Sequence, residues 1–468
     1  METFLFKALQ LLAALAILVL FHEFGHYFFA RVFGIKVERF YLFFNPWFTL
    51  VKYRPKEKKW FFFKRNTPDS SNEEDNQNLP VKTSWKDTEY GIGWLPLGGY
   101  ASIAGMIDET QGAEQLAKEP QPWEFRSKPA WQRFFVIIGG VLFNFILAIL
   151  IYTGIAFYWG EKTIAFENAT EGLDYVEAAQ KVGFQNGDIP LLADGAKIDI
   201  KDRDHAYKMV NAKVVTVLRN KKDTINISIP DDFIFRLNED EGFFAYRTPV
   251  YVQKLSPGEP AEKAGLKEGD HIISVGIDAT PAFSEFTPAL KKYAGKEVNI
   301  NIMRGDSLIS LNITPSESGK IGIQLRPITD IYPVDIEKYS FFEAFPKGWE
   351  IGTTTLTTYV SSMKQIFSKE GAQSIGGFGS LGSIFPETWN WRSFWEITAF
   401  ISLALAFLNF LPIPALDGGY ILFILVEVIT RRKPSIKFLE YANTIGWLFL
   451  IALLLFANGN DIYRAFFK

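Results

Sequence analysis

The sequence predicts a polytopic α-helical membrane protein that also carries soluble α+β modules. Three observations predict it. Uncharged apolar runs of membrane length, about 20 residues each, lie toward both ends of the 468-residue chain. Charged residues nevertheless make up 22% and apolar residues 48%, too polar for membrane helices alone. A middle stretch of about 80 residues occurs twice.

Composition narrows the chemistry. With zero Cys, disulfides, thiolate metal sites and a Cys nucleophile are excluded. Net charge is 49 − 52 = −3, so no basic field argues for nucleic acid. Phe (44) and Trp (12) are heavily used, as suits side chains that meet lipid and its interface. Only four His are present, so any pattern containing two of them is informative.

Four spans are predicted. The first, in 1–33, runs over 4–30; its start, Met-Glu-Thr-Phe, is not basic and no small-residue cleavage site follows, so it reads as a retained helix. The second, in 131–160, is uncharged over 134–159. The third, in 396–430, is uncharged over 397–416 and then meets Asp417. The fourth, in 438–460, is uncharged over 441–458. Arg31, Lys36 and Arg39 follow the first span, and Arg126, Lys128 and Arg133 precede the second. Arg431, Arg432, Lys433 and Lys437 lie between the third and fourth. Positive loops face the cytoplasm, which places 160–395 and both termini on the other side.

Inside that external segment KVGFQNGD (181–188) matches KAGLKEGD (263–270), 82 residues on. VTVLRN with INISIP (215–230) matches INIMRG with LNITP (300–315), 85 residues on, so a three-residue indel separates the matched blocks. Alternating apolar positions predict strands, and Arg304-Gly305-Asp306 a hairpin turn. The second copy (246–330) resembles the circularly permuted bacterial PDZ domain, with a short helix ending at Gly265 and a strand from His271 to Val275. The first copy (161–245) is a more degenerate version. PDZ domains take an extended peptide along a strand edge, although spacer domains with blocked grooves satisfy the same pattern.

The loop 34–130 carries a charged insertion. Residues 52–65 hold seven Lys/Arg against Glu57 alone, interleaved with Trp60, Phe61, Phe62 and Phe63. Such a segment suits either an anionic leaflet or a solvated hairpin. The acidic and polar run 69–78 is expected to be disordered.

The chemistry concentrates at His22-Glu23-Phe24-Gly25-His26, an HExxH inside the first apolar helix. At 3.6 residues per turn the two His share a face and suit a tetrahedral Zn²⁺, while Glu23 stands one residue along, where it reaches water rather than metal. Ionisable groups in a membrane helix are costly unless they face protein or a watered cavity. His205 and His271 fall in the external modules, so the candidate third ligand is Asp417, at the end of NFLPIPALDGG (409–419), where Pro412 and Pro414 break the helix and two Gly let the backbone bend.

Taken together, FHEFGH, GWLPLGGY (93–100), the tandem PDZ-like modules and NFLPIPALDGG resemble the site-2 protease family, in its bacterial regulator of sigma-E protease branch, in the same order and over nearly the whole chain. The resemblance implies His22, His26 and Asp417 as zinc ligands and Glu23 as the catalytic residue. For substrate handling it implies Asn409, with Pro412, Pro414, Gly98 and Gly99. It also implies a membrane-reentrant β-hairpin from 37–52 and 93–106. Within a helical linker over 331–395, residues 339–363, rich in Phe and Trp, are expected to form an interfacial helix. The implied enzyme is a zinc intramembrane endopeptidase of a bacterial inner membrane, with periplasmic PDZ domains and a site near the cytoplasmic side. Its partners would be the bilayer and single-span membrane proteins, anti-sigma factors trimmed beforehand or remnant signal peptides, with no nucleic acid and no oligomer indicated. Two readings from other classes compete: an inactive membrane-anchored PDZ adaptor, and a metal transporter lined by the same His and Asp.

Overall fold

Proline-free runs of Leu, Ile, Phe and Ala become the four membrane-length helices of the computed structural model, which describes residues 2–65, 83–96, 98–106, 119–200, 205–237, 243–363 and 376–467. The acidic run 69–78 lies outside the described residues. The chain forms two units: Met1–Trp159 with Tyr339–Phe467, and Gly160–Lys338.

The first unit is built on α1 (Glu2–Val32), α2 (Ala130–Tyr158), α3 (Phe341–Met363), α4 (Trp391–Phe410), α5 (Asp417–Thr430) and α6 (Ile436–Phe467). Four segments are long and apolar enough to cross a membrane: Phe4–Val32, Ala130–Tyr158, Trp391–Phe410 and Lys437–Tyr463. Leu11, Ala14 and Leu18 of α1 pack with Leu147 of α2 and with Phe394 and Ile401 of α4. Ala148, Tyr152 and Ile155 extend α2 against Ala399 and Leu403. Helices α1 and α2 touch backbone to backbone at Gly25 and Gly139, where an added Cβ would come within 2.1 Å and 2.5 Å of the facing carbonyl oxygen. Small residues permit this approach where lipid gives helices no hydrophobic reason to associate.

Two expectations are corrected here. Residues 396–430 do not form one span: α4 stops at Phe410 and α5 starts at Asp417. Pro412 and Pro414 lack the N–H that would continue the helix, and Ala415 takes a left-handed φ of 74°. The linker expected over 331–395 starts too early, although the helix expected within it is present as Phe341–Met363. Its first residues belong to the second unit, where Asp335–Glu337 pairs with Glu161–Thr163. Its helix α3 lies against α2, with Gly348 on Thr153 and Gly352 on Ile149.

A five-stranded sheet covers α1. Its strands are β1 (Val37–Leu42), β2 (Phe48–Arg54), β3 (Lys59–Arg65), β4 (Glu89–Ile92) and β5 (Tyr100–Ile103), in the order β3-β2-β4-β1-β5. The expected two-part hairpin is therefore a mixed sheet, in which β4 separates β1 from β2 and runs parallel to β1. Glu89 of β4 binds it together, accepting from Tyr41 of β1 at 2.6 Å and from Lys52 of β2 at 3.2 Å, with Arg54 alongside. Val37 and Ile103 pack on Ala30, Val136 and Ile137, seating the sheet on the α1–α2 pair.

The second unit repeats itself in structure as in sequence. Strands Ile189–Ala193, Ala196–Lys197, Val214–Arg219 and Asp223–Ser228 pair in the same order as His271–Val275, Asp278–Ala279, Val298–Arg304 and Ser307–Ile313. Each copy encloses its own core, one around Phe184, Val215 and Phe233, the other around Val252, Ile272 and Ile300. The same clamp closes both. Arg219 holds Asp188 through two bonds of 2.8 Å and 2.7 Å and reaches Gly183 O, while Arg304 holds Asp270 at 2.7 Å and 2.8 Å and reaches Gly265 O. Asp188 to Asp270 is the 82-residue offset and Arg219 to Arg304 the 85-residue one.

Candidate metal centre

His22 and His26 lie one turn apart on α1, on the face turned to α2 and α5. Their Nε2 atoms are 3.3 Å apart. Asp417 Oδ2 lies 3.4 Å from His22 Nε2 and 3.5 Å from His26 Nε2. Donors held at ~2.0–2.1 Å around a tetrahedral ion stand about 3.3–3.4 Å from one another, so three edges of this triangle have the size zinc requires. The orphaned atom points the same way: Asp417 Oδ2 is buried with no hydrogen-bond partner, a costly state for a carboxylate that no cation neutralises. Among the described residues, His22, His26 and Asp417 are the group of three that could hold a metal ion.

Local structure aims each donor. His26 Nδ1 sits 2.8 Å from the Val136 carbonyl, which fixes the proton on Nδ1 and leaves Nε2 for the cluster. His22 Nδ1 is 3.4 Å from the Asn144 side-chain amide, whose Oδ1 is buried without a partner. Rotating that amide by a half-turn offers its oxygen to a proton on His22 Nδ1. Gly140 is packed beneath both rings; an added Cβ would meet His26 Nε2 at 2.5 Å and His22 Cε1 at 2.6 Å. Asp417 opens α5, directly after the break. Gly418 and Gly419 press so closely on the carbonyls of Leu411 and Ile413 that a Cβ would lie 2.1 Å and 2.5 Å away. Asn443 of α6 accepts from the Ala415 N–H at 3.4 Å and donates to Tyr420 at 2.6 Å, so the last helix pairs backbone that the break sets free.

The remaining sequence-predicted residues occupy several different elements. Glu23 is half-buried on α1, beside Gly99 at the head of β5: a Cβ on Gly99 would lie 3.5 Å from Glu23 Cγ and 2.7 Å from Val19 Cγ1. Gly98, before it, packs under the Phe44 ring. Asn409 is half-buried in the last turn of α4, and Pro412 and Pro414 form the break itself. His205 and His271 lie in the second unit, as expected, against Phe166 and Tyr251.

Asn144, Gly140 and Asn443 were not singled out from sequence. Asn144 is the one side-chain amide in the uncharged stretch 134–159 and is 1% exposed, a signal available in retrospect. Arg133 and Glu427 were missed as a pair. They bond twice, at 3.0 Å and 2.6 Å, and tie the start of α2 to α5.

A membrane-helix unit with a three-donor cluster beside a carboxylate defines the class as a membrane-embedded metallopeptidase, and the chain belongs to peptidase family M50, whose model matches residues 10–63 and 78–453. It is 27% identical over 489 residues to a Haemophilus influenzae protein named "Regulator of sigma E protease", covering 99% of this chain and 100% of the relative. It is 26% identical over 505 residues to the Escherichia coli "Regulator of sigma-E protease RseP", again covering 99% and 100%. A Vibrio cholerae relative, described as "Putative zinc metalloprotease", is 25% identical over 498 residues, covering 99% and 100%.

Proposed function

We propose that the chain is a zinc-dependent intramembrane endopeptidase of a bacterial inner membrane, cutting the membrane segments of single-span proteins. The donor triangle of His22, His26 and Asp417, set beside Glu23 within apolar helices, carries this reading. Zinc held by those three donors supplies a Lewis acid and a lowered pKa for water. Glu23 takes the proton of the attacking water on its carboxylate and returns it to the leaving amine. Asn409 donates a hydrogen bond to the substrate carbonyl as negative charge develops on it.

A helical substrate must unwind first, and each freed backbone group in lipid costs several kcal/mol. β5 is an edge strand, and Gly99, the residue just before it, lies beside Glu23. It is the membrane-reentrant element on which an unwound substrate would add as a further strand, with Pro412 and Pro414 lining the opposite approach. The positive loops support a cytoplasmic side for this sheet and a periplasmic one for the PDZ-type repeats. By likeness to relatives named as sigma-E regulators, the substrates are anti-sigma factors trimmed beforehand, and remnant signal peptides.

The test is cleavage of a tagged membrane-helix substrate by the purified protein, with and without a zinc chelator. Glu23→Gln should abolish cleavage while near-stoichiometric zinc is retained, and Asp417→Asn should lower both. Wild-type cleavage by Glu23→Gln would refute the assignment.

A further inference from the structure

The edge of the sheet opposite β5 has a different character. β3 lies four strands from β5, about 19 Å away at ordinary strand spacing. On it Trp60, Phe62 and Phe63 are 61%, 64% and 74% exposed. A hydrophobic edge strand left open to water invites pairing with other chains, and native edges normally avoid it. The cations here flank the aromatics instead of replacing them: Lys58 and Lys59 precede the run, and Lys64 and Arg65 follow it.

The hairpin is ordered around one ring. Lys52, Arg54 and Lys64 stand over Phe61 at 5.8, 5.7 and 4.7 Å, and Trp60 stacks on Tyr53 at 4.7 Å. Phe63 takes a left-handed φ of 47°, an outlier for a bulky residue. Pairing is interrupted there, between Val51–Phe62 and Thr49–Lys64, and two successive Phe are left exposed. Several cations are already paired, Lys52 and Arg54 with Glu89 and Lys56 with Asp87. Among the described residues, Lys58, Lys59, Lys64 and Arg65 form no ion pair. The sheet is seated on α1, itself a membrane-length helix, so this patch is held near a bilayer.

We propose that the β2–β3 hairpin is a docking surface for anionic phospholipid headgroups. Trp60, Phe62 and Phe63 enter the interface, and Lys58, Lys59, Lys64 and Arg65 meet the phosphates. Neutral lipid would satisfy the aromatics alone; the four cations, without acidic partners among the described residues, call for negative charge. Because Lys52 and Arg54 share Glu89 with Tyr41 of β1, docking anchors one margin of a sheet whose other margin lies at Glu23.

The chain's lack of Cys makes a single reporter possible. A nitroxide on Phe62→Cys, in the full-length protein, is compared in nanodiscs of phosphatidylcholine alone and of phosphatidylcholine mixed with phosphatidylglycerol. In the anionic discs the label should become more accessible to oxygen and less to a water-soluble nickel chelate, and ~1 M salt should reverse this. Lys58→Glu, Lys59→Glu and Lys64→Glu together should remove the response, each cation contributing roughly fivefold to the docked population. Unchanged monodisperse elution shows that the charge-reversed protein is folded. Equal accessibility in both lipids overturns the proposal. So does oxygen exposure in neutral discs that ignores salt and charge reversal, or the same response to inorganic phosphate without anionic lipid. Immobilisation in neutral discs that disappears on deleting residues 69–78 would make the occupant the chain's own acidic run, and overturns it too.

Discussion

His22, Asn144 and Asp417 meet because α1, α2 and α5 come together. His22 and His26 are visible because four residues is one helical turn, and Asp417 because it ends an uncharged run beside two prolines. Asn144 stands out only as the lone side-chain amide of its uncharged run; its place beside His22 comes from α2 crossing α1 at Gly139, a contact no spacing announces. Partners that orient ligating His commonly govern metal affinity by 10–100-fold. Asn144→Leu should therefore weaken zinc retention by about that factor, measured by chelator competition. Ser402→Ala, which removes only the 2.7 Å bond to the Asn144 carbonyl, should leave affinity near wild type. Equal affinities for Asn144→Leu and the parent would show that the amide merely fills space.

Among the elements, apolar helices and the internal repeat were legible, because each is written in contiguous residues. The mixed sheet was not. β4 follows a long insertion, is only four residues long and pairs in parallel with a strand some 50 positions earlier, a non-local contact that period-2 patterning cannot assign. The third span was half read: the prolines and glycines were recognised as a bend, yet the break extends from Leu411 to Leu416. The repeated Arg–Asp clamp yields a pH prediction. Burial alone would raise the Asp270 carboxyl, but bonds from Arg304 and from the Lys267 N–H hold it below the ordinary carboxylate range. A depressed native pKa means the unfolded state binds the proton more readily. The stabilisation is thus complete above an unfolded pKa of about 4 and is lost as pH falls through the native value. Asp270→Asn should lower the melting temperature of its module by at least about 5 °C at neutral pH, and the gap to the parent should close toward pH 2. A constant gap across that range would assign the loss to packing.

For the molecule as a whole, the question is why a membrane peptidase interrupts its helices with residues 160–338. The unit enters the chain between α2 and α3, so its tethers leave the membrane unit at Trp159 and Tyr339. We read the pair as a size filter that admits a short trimmed stub and refuses a folded domain, with peptide capture secondary. Deleting residues 165–328 behind a short linker should allow cleavage of an untrimmed substrate that the full-length protein leaves intact, with the pre-trimmed substrate still cut. Loss of activity on the trimmed substrate, in a protein that keeps its zinc, would make the modules a docking device instead.

The position of Asp417 has a consequence for how the protein is made. His26 precedes it by 391 residues, and Asn443, which pairs backbone at the break, comes later still. On a ribosome the two His emerge first, and the donor set closes only once α5 has been made. A chain that stops short of Asp417 therefore holds two of the three donors, His22 and His26, without the third.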